Sequence, residues 1–171
     1  MGKHRISKAN QKIYFAGFYL EAIENVEKDE QLLNRKAMLA AHRESCLYHL
    51  VCAYEGLIWE VANTYDIQFA SGQSLERVLA DAHAGGKSSA ELEQLFALET
   101  AQDSWLNRML SVWRRQQDVD PATTSVPKSP VNLNAIEVRV SMEEDELLQL
   151  PDWHDKLRGL IEEIRQRLGE W

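Results

Sequence analysis

The sequence predicts one all-α domain, a helical bundle of five or six helices around a long central helix. Three observations carry that expectation. The stretch Cys46 to Ala62, CLYHLVCAYEGLIWEVA, holds apolar residues in nearly every direction around a helix, so it must be covered on several sides. Other segments repeat apolar residues at steps of three and four, the spacing of one helical face. Only 8 Gly and 4 Pro in 171 residues argue against a turn-rich β chain. A chain of this length fits one domain and buries roughly 70% of its unfolded surface, enough to fold without a metal or disulfide.

In chain order, residues 5–27 place Ile6, Ala9, Ile13, Ala16, Leu20 and Ile23 on one stripe, the first helix. Tyr14, Phe15, Phe18 and Tyr19 widen it, and an aromatic band at helical spacing reads as core. A polar passage around Lys28 to Glu30 reads as a tight connection. From Glu30 to Tyr65 runs one long helical pattern with two apolar faces, Gly56 being the place for a kink. Its second half is the expected bundle centre, with the first helix antiparallel to it.

After a connection through residues 67–73, Ser74 starts a short helix that stops at Gly85-Gly86. Ser88 or Ser89 begins the next, and Asp103-Ser104 is a second start before Trp105, so residues 89–117 form one helix or two. Residues 118–135 hold three of the four prolines and read as a loop or linker within the 1–171 domain. Ile136, Val138 and Val140 alternate with charged residues, but one strand alone makes no sheet, so an extended segment is expected there. Ser141 and Glu144 have capping-box spacing. Pro151 restarts the chain into a closing helix with Trp153, Leu157, Leu160, Ile161, Ile164, Leu168 and Trp171. The five tryptophans all fall on expected helices, where core and inter-helix packing accounts for most of them.

A net charge of −8 repels a phosphate backbone and speaks against nucleic-acid binding. The basic run Lys3, His4, Arg5, Lys8 and Lys12 reads as the solvated start of a helix. No signal peptide is expected, and the central stretch is interrupted by His49, Glu55 and Glu60 well short of the ~20 apolar residues of a membrane span. Cys46 and Cys52 lie ~9 Å apart along a helix axis, too far for a disulfide. Free thiols fit a cytoplasmic protein.

The segments NQKIYFA at residues 10–16, RESCLYHL at 43–50 and DSWL at 103–106, in that order, resemble a family of short proteins of unknown function from Pseudomonas and related gammaproteobacteria. The resemblance rests on the patterns NQKxYFA, RExCLxHL and DSWL and spans roughly residues 8–115. It implies a bacterial origin and a helical fold. It brings no activity, cofactor or catalytic residue with it.

Two polar groupings lie at the start of the central stretch. His42, Cys46 and His49 share one helical face at steps of four and three, and imidazole with thiolate can bind a transition metal. Metal-binding bundles use Glu-x-x-His pairs on facing helices, and no His here has a Glu three residues before it; Cys46 as a small apolar residue and His49 as a satisfied core group are the simpler reading. Arg43 and His49 fit the Arg-x(4–6)-His spacing of the HEPN helical ribonucleases, although an ideal helix sets them ~120° apart. No Gly-x-Ser-x-Gly elbow occurs, and Gly85-Gly86 lacks P-loop spacing. Glu55 and Glu60 are expected at the bundle edge or paired with Arg or Lys.

The expected function is non-enzymatic: a cytoplasmic bacterial protein without cofactor, acting through a protein partner or self-association. The alternatives are a HEPN-like ribonuclease or nucleotide-acting enzyme using Arg43 and His49, and a metal-binding bundle using His42, Cys46 and His49.

Overall fold

The computed structural model describes residues 7–117 and 143–169. The described residues are all-α, with seven helices and no strand. Helix α1 (Lys8–Lys28) starts where the Ser7 hydroxyl accepts from the Asn10 amide. It ends without Gly or Pro because the next helix supplies its cap. The Arg35 guanidinium donates to the carbonyls of Val26 and Glu27, which the last turn of α1 leaves without helical partners.

Helix α2 (Arg35–Thr64) therefore starts five residues later than the sequence pattern suggests. From Cys46 onward it is the centre of the molecule, with Cys46, Leu47, Leu50, Ala53, Leu57 and Val61 fully buried. The helix runs on through Gly56, whose role is contact: a Cβ there would come within 2.9 Å of the Ala9 amide nitrogen.

Helix α3 (Leu75–Ala84) is capped by Ser74 and stops at Gly85, with Gly86 at φ +71°. Ser89 caps α4 (Ala90–Thr100). The chain then breaks, and α5 (Trp105–Gln117) is separate. Ser104 accepts from the Asn107 amide at 2.9 Å, and the Asn107 side chain donates to the Glu99 carbonyl at 2.8 Å, so one short linker caps both helix ends. A short α6 (Glu143–Leu147) precedes α7 (Leu150–Gly169). Pro151 sits inside the first turn of α7, where no amide donor is required. The separate α4 and α5 and the short α6 bring the total to seven where the sequence suggests five or six.

Three sides of α2 are covered. Helix α1 runs antiparallel to it, with Ala9 against Gly56, the Ala16 carbonyl at Cys46 and Glu27 at Arg43. Helix α7 closes over α1 and α2, with His154 bonded to the Ile13 carbonyl and Arg165 to Glu60. Helices α4 and α5 cover the third side, where Tyr54 donates to Glu99 at 2.9 Å and Tyr65 to Glu91 at 2.7 Å. Glu91 is buried; burial by itself would raise its carboxyl, but hydrogen bonds from Tyr65, its own backbone and Ser89, with Arg167 nearby, hold it below the usual range.

Among the described residues no helix covers the fourth side of α2. Tyr48, Cys52, Glu55 and Trp59, at steps of four, three and four, form one stripe there. Trp59 is 51% exposed, while Trp153 is buried and Trp105 and Trp113 pack against the core, as expected of most of the tryptophans. The aromatic band of α1 also divides. Tyr14 is 65% exposed and Phe18 52%, because among the described helices α1 packs mainly against α2 and α7. The proline-bearing segment 118–135, the alternating residues 136–140, Ser141 and Trp171 lie outside the described residues.

Candidate functional site

The polar residues singled out on α2 are distributed among different neighbours. Arg43 points back to the end of α1, its Nη2 3.1 Å from Glu27 Oε1. Cys46 faces the α1 backbone and donates to the Ala16 carbonyl with Sγ at 3.6 Å. Burial pushes this thiol up to about 12, so it is a neutral thiol at physiological pH and not the thiolate that ligates metals or attacks carbonyls. His49 sits among aromatic rings, stacked on Tyr19 at 5.4 Å between centroids and edge-on to Phe15 and Tyr48. His42 lies across Tyr19, 6.0 Å between ring centroids. Tyr19 thus touches both imidazoles, while Arg43 pairs with Glu27. Among the described residues, no group of three or more His, Cys, Asp or Glu could hold a metal ion.

His49 Nδ1 is buried with no hydrogen-bond partner among the described residues. Burial, and then the nearby Lys12 ammonium, hold the imidazole below its ordinary value. The sign follows from linkage. The unfolded chain takes up a proton near 6.5 while the folded chain still resists it, so stability is full above that pH and falls as the pH drops below it. His49→Phe should flatten this loss. Urea midpoints at pH 7.5 and 5.5 measure it; a slope identical in both proteins would show that His49 is not the group responsible.

Glu60 is drawn into a network that joins α1, α2 and α7. Arg165 grips its carboxylate, Nε at 2.9 Å and Nη2 at 2.7 Å from Oε2, and also donates to Asn10 and Ser7. The Ser7 hydroxyl donates to Glu60 in turn. The pair is partly exposed, so Arg165→Ala should cost less than the 3–5 kcal/mol of a fully buried pair, about 1–2 kcal/mol. Arg165→Lys cannot make the two-pronged contact and should recover only part. Thermal unfolding followed by circular dichroism reads both, and equal melting temperatures for wild type and Arg165→Ala would refute it.

Beside this network a concavity of about 510 Å³ opens between α1 and α2, lined by Gln11, Glu55, Gly56, Trp59 and Phe69 among others. A second of about 820 Å³ lies on the far side of Trp59 and Phe69 and reaches Asn63, Asp81 and Lys87. Its rim is fixed by Lys87, which donates to the Asp66 carboxylate at 2.8 Å and holds that carboxyl below the usual range. Asp66 occupies the left-handed region at φ +51°, at the turn that ends α2.

Lys12 completes this face. Its ammonium lies 5.7 Å from the Phe15 ring centroid and 5.5 Å from that of Tyr48. The Tyr48 hydroxyl is held above its ordinary value, first by its hydrogen bond with Cys52. Among the described residues this side is therefore a two-helix surface that carries exposed rings together with Lys8, Lys12 and Glu55. Reasoning on α2 from polar residues missed it. The available signal was the Tyr48, Cys52, Glu55, Trp59 spacing, hidden because the same stretch is apolar on its other sides too.

No helix among the described residues is long and apolar enough to cross a membrane. No curated protein and no solved structure matches the chain. A family model does match, over residues 1–171. The full-length match agrees with the expectation of a helical family of unknown function, and the chain belongs to the family of unknown function DUF6586.

Proposed function

We propose that this protein is non-enzymatic and acts by protein–protein contact through the open α1–α2 face. The observation that carries the reading is the exposure of Tyr48 and Trp59 on α2, with Trp59 lining the concavity between α1 and α2. Large aromatic side chains left in water beside a concavity are the usual anchors of protein interfaces, where they fill pockets on the partner. The polar residues that suggested chemistry support the same reading. Arg43 is held by Glu27, Cys46 is a buried neutral thiol, and His49 packs among rings.

A cytoplasmic setting is supported by two free thiols, Cys46 and Cys52, which a reducing compartment preserves. The three sequence motifs support a gammaproteobacterial origin. The chain's charge of −8 favours a protein partner over nucleic acid.

Affinity capture with the wild-type chain and with a Tyr48→Ser, Trp59→Ser double variant tests the reading. A bound protein, including another copy of this chain, should be retained by the wild type and lost at least about tenfold by the variant, as expected when two anchor rings are truncated. Equal recovery by both chains would remove the α1–α2 face as the contact surface.

A further inference from the structure

We infer that the occupant of the α1–α2 face is a second copy of this chain, docked antiparallel across a two-fold axis at Cys52. The inference rests on the interaction reading above and names its partner. It is carried by how the face is arranged about one residue. Lys12 and Glu55 have no oppositely charged partner among the described residues. The Lys12 ammonium lies over Tyr48 and beside His49, four and three residues before Cys52, and Glu55 lies three residues after it. An isologous interface brings residues at equal distances before and after its axis face to face. Lys12 of one copy then meets Glu55 of the other, and the contact is made twice. A parallel arrangement would oppose Lys12 to Lys12 and Glu55 to Glu55.

Size follows the same symmetry. Trp59, seven residues after Cys52, is set opposite Ser45, seven residues before it, so a large ring meets a small side chain. Large-against-small pairing is what lets two helices pack closely. The face also escapes the repulsion expected between two acidic chains, because Lys8 lines the concavity and Lys12 lies over Tyr48.

Sedimentation velocity on the full chain tests this. The wild type should sediment as a dimer. Lys12→Glu and Glu55→Lys should each weaken dimerisation about tenfold or more, since each puts like charges together twice, and the two changes combined should restore it. Mild oxidation should link the dimer through Cys52 in wild type and in Cys46→Ala, and not in Cys52→Ala. Circular dichroism melts of the Lys12, Glu55 and Cys52 variants should match wild type, because these side chains are not core; a variant that melts early is replaced by Glu55→Gln and Lys12→Gln, for which a smaller loss of dimer is expected. A chain that stays monomeric at every concentration, or a dimer indifferent to both reversals, would overturn the inference. If a monomeric wild type still captures a different protein through Tyr48 and Trp59, the dimer fails and the interaction reading survives.

Discussion

Trp153→Ala should lower the stability of the protein by about 3–5 kcal/mol, the cost of deleting a large aromatic ring from a close-packed core. Trp153 is 1% exposed and lies in α7 within the core shared with α2. Unfolding entropy for a chain of this size converts that loss into a fall in melting temperature of roughly 6–20 °C. Trp153→Phe should lose clearly less. The indole Nε1 is buried without a hydrogen-bond partner among the described residues, and a phenyl ring removes this unsatisfied donor while keeping most of the volume. Equilibrium unfolding in urea measures both. A loss under about 1 kcal/mol for the alanine variant would mean that α7 does not close the bundle through this ring.

Gly56→Leu is the second large effect, and Gly56→Ala shows its cause. In the interior of a helix, glycine replaced by alanine normally gains about 0.5–1 kcal/mol. At Gly56 the added Cβ would lie 2.9 Å from the Ala9 nitrogen and 3.2 Å from its Cα. Both are backbone atoms, so no side chain can swing away and α1 itself must move. Overpacking of this kind costs ~1–3 kcal/mol, which reverses the sign for alanine and makes leucine worse. Gly159, inside α7 with nothing within 4 Å of an added Cβ, is the control, and Gly159→Ala should gain about 0.5–1 kcal/mol. If Gly56→Ala gains as much as Gly159→Ala in denaturant unfolding, α1 does not press on α2 at this point.

Much of this architecture is readable before any coordinates. Ser74, Ser89 and the Asp103-Ser104 start are helix beginnings in the structure, and Gly85 is a helix end, because capping is a contact made within three or four residues. The central place of the run from Cys46 to Ala62 is legible too, because its apolar residues point in most directions around the helix, although the structure leaves one stripe of it exposed. The boundary near Glu30 was harder. It depends on Arg35 reaching back to two carbonyls of α1, a contact that no periodicity announces. The pairing of Glu60 with Arg165, 105 residues away, was legible only as a class of partner and not as a residue.

The candidate site was the least legible part. Polar residues inside an apolar stretch attract attention as chemistry, yet His42, Arg43, Cys46 and His49 each spend their polar atoms or ring faces on α1. The residues that stand out in three dimensions are aromatic, and aromatic residues on a helix read as core in sequence. Tyr14, Phe18 and Trp59 show why that reading fails. Their exposure depends on which side of α1 and α2 no other helix covers, and a period of 3.6 residues assigns a side chain to a face without saying what lies against it.

By itself, then, the sequence determined that the chain is helical, where most helices begin, which helix forms the centre and that its two thiols remain free. These follow from local capping, from helical periodicity and from the limited reach of a disulfide. The tertiary structure alone decided that α7 and the α4–α5 pair cover two sides of α2, that Arg165 belongs to Glu60, and that Tyr48, Cys52, Glu55 and Trp59 are left facing outward. Those outcomes depend on how whole helices share a limited core, and that competition is settled between segments far apart in the chain.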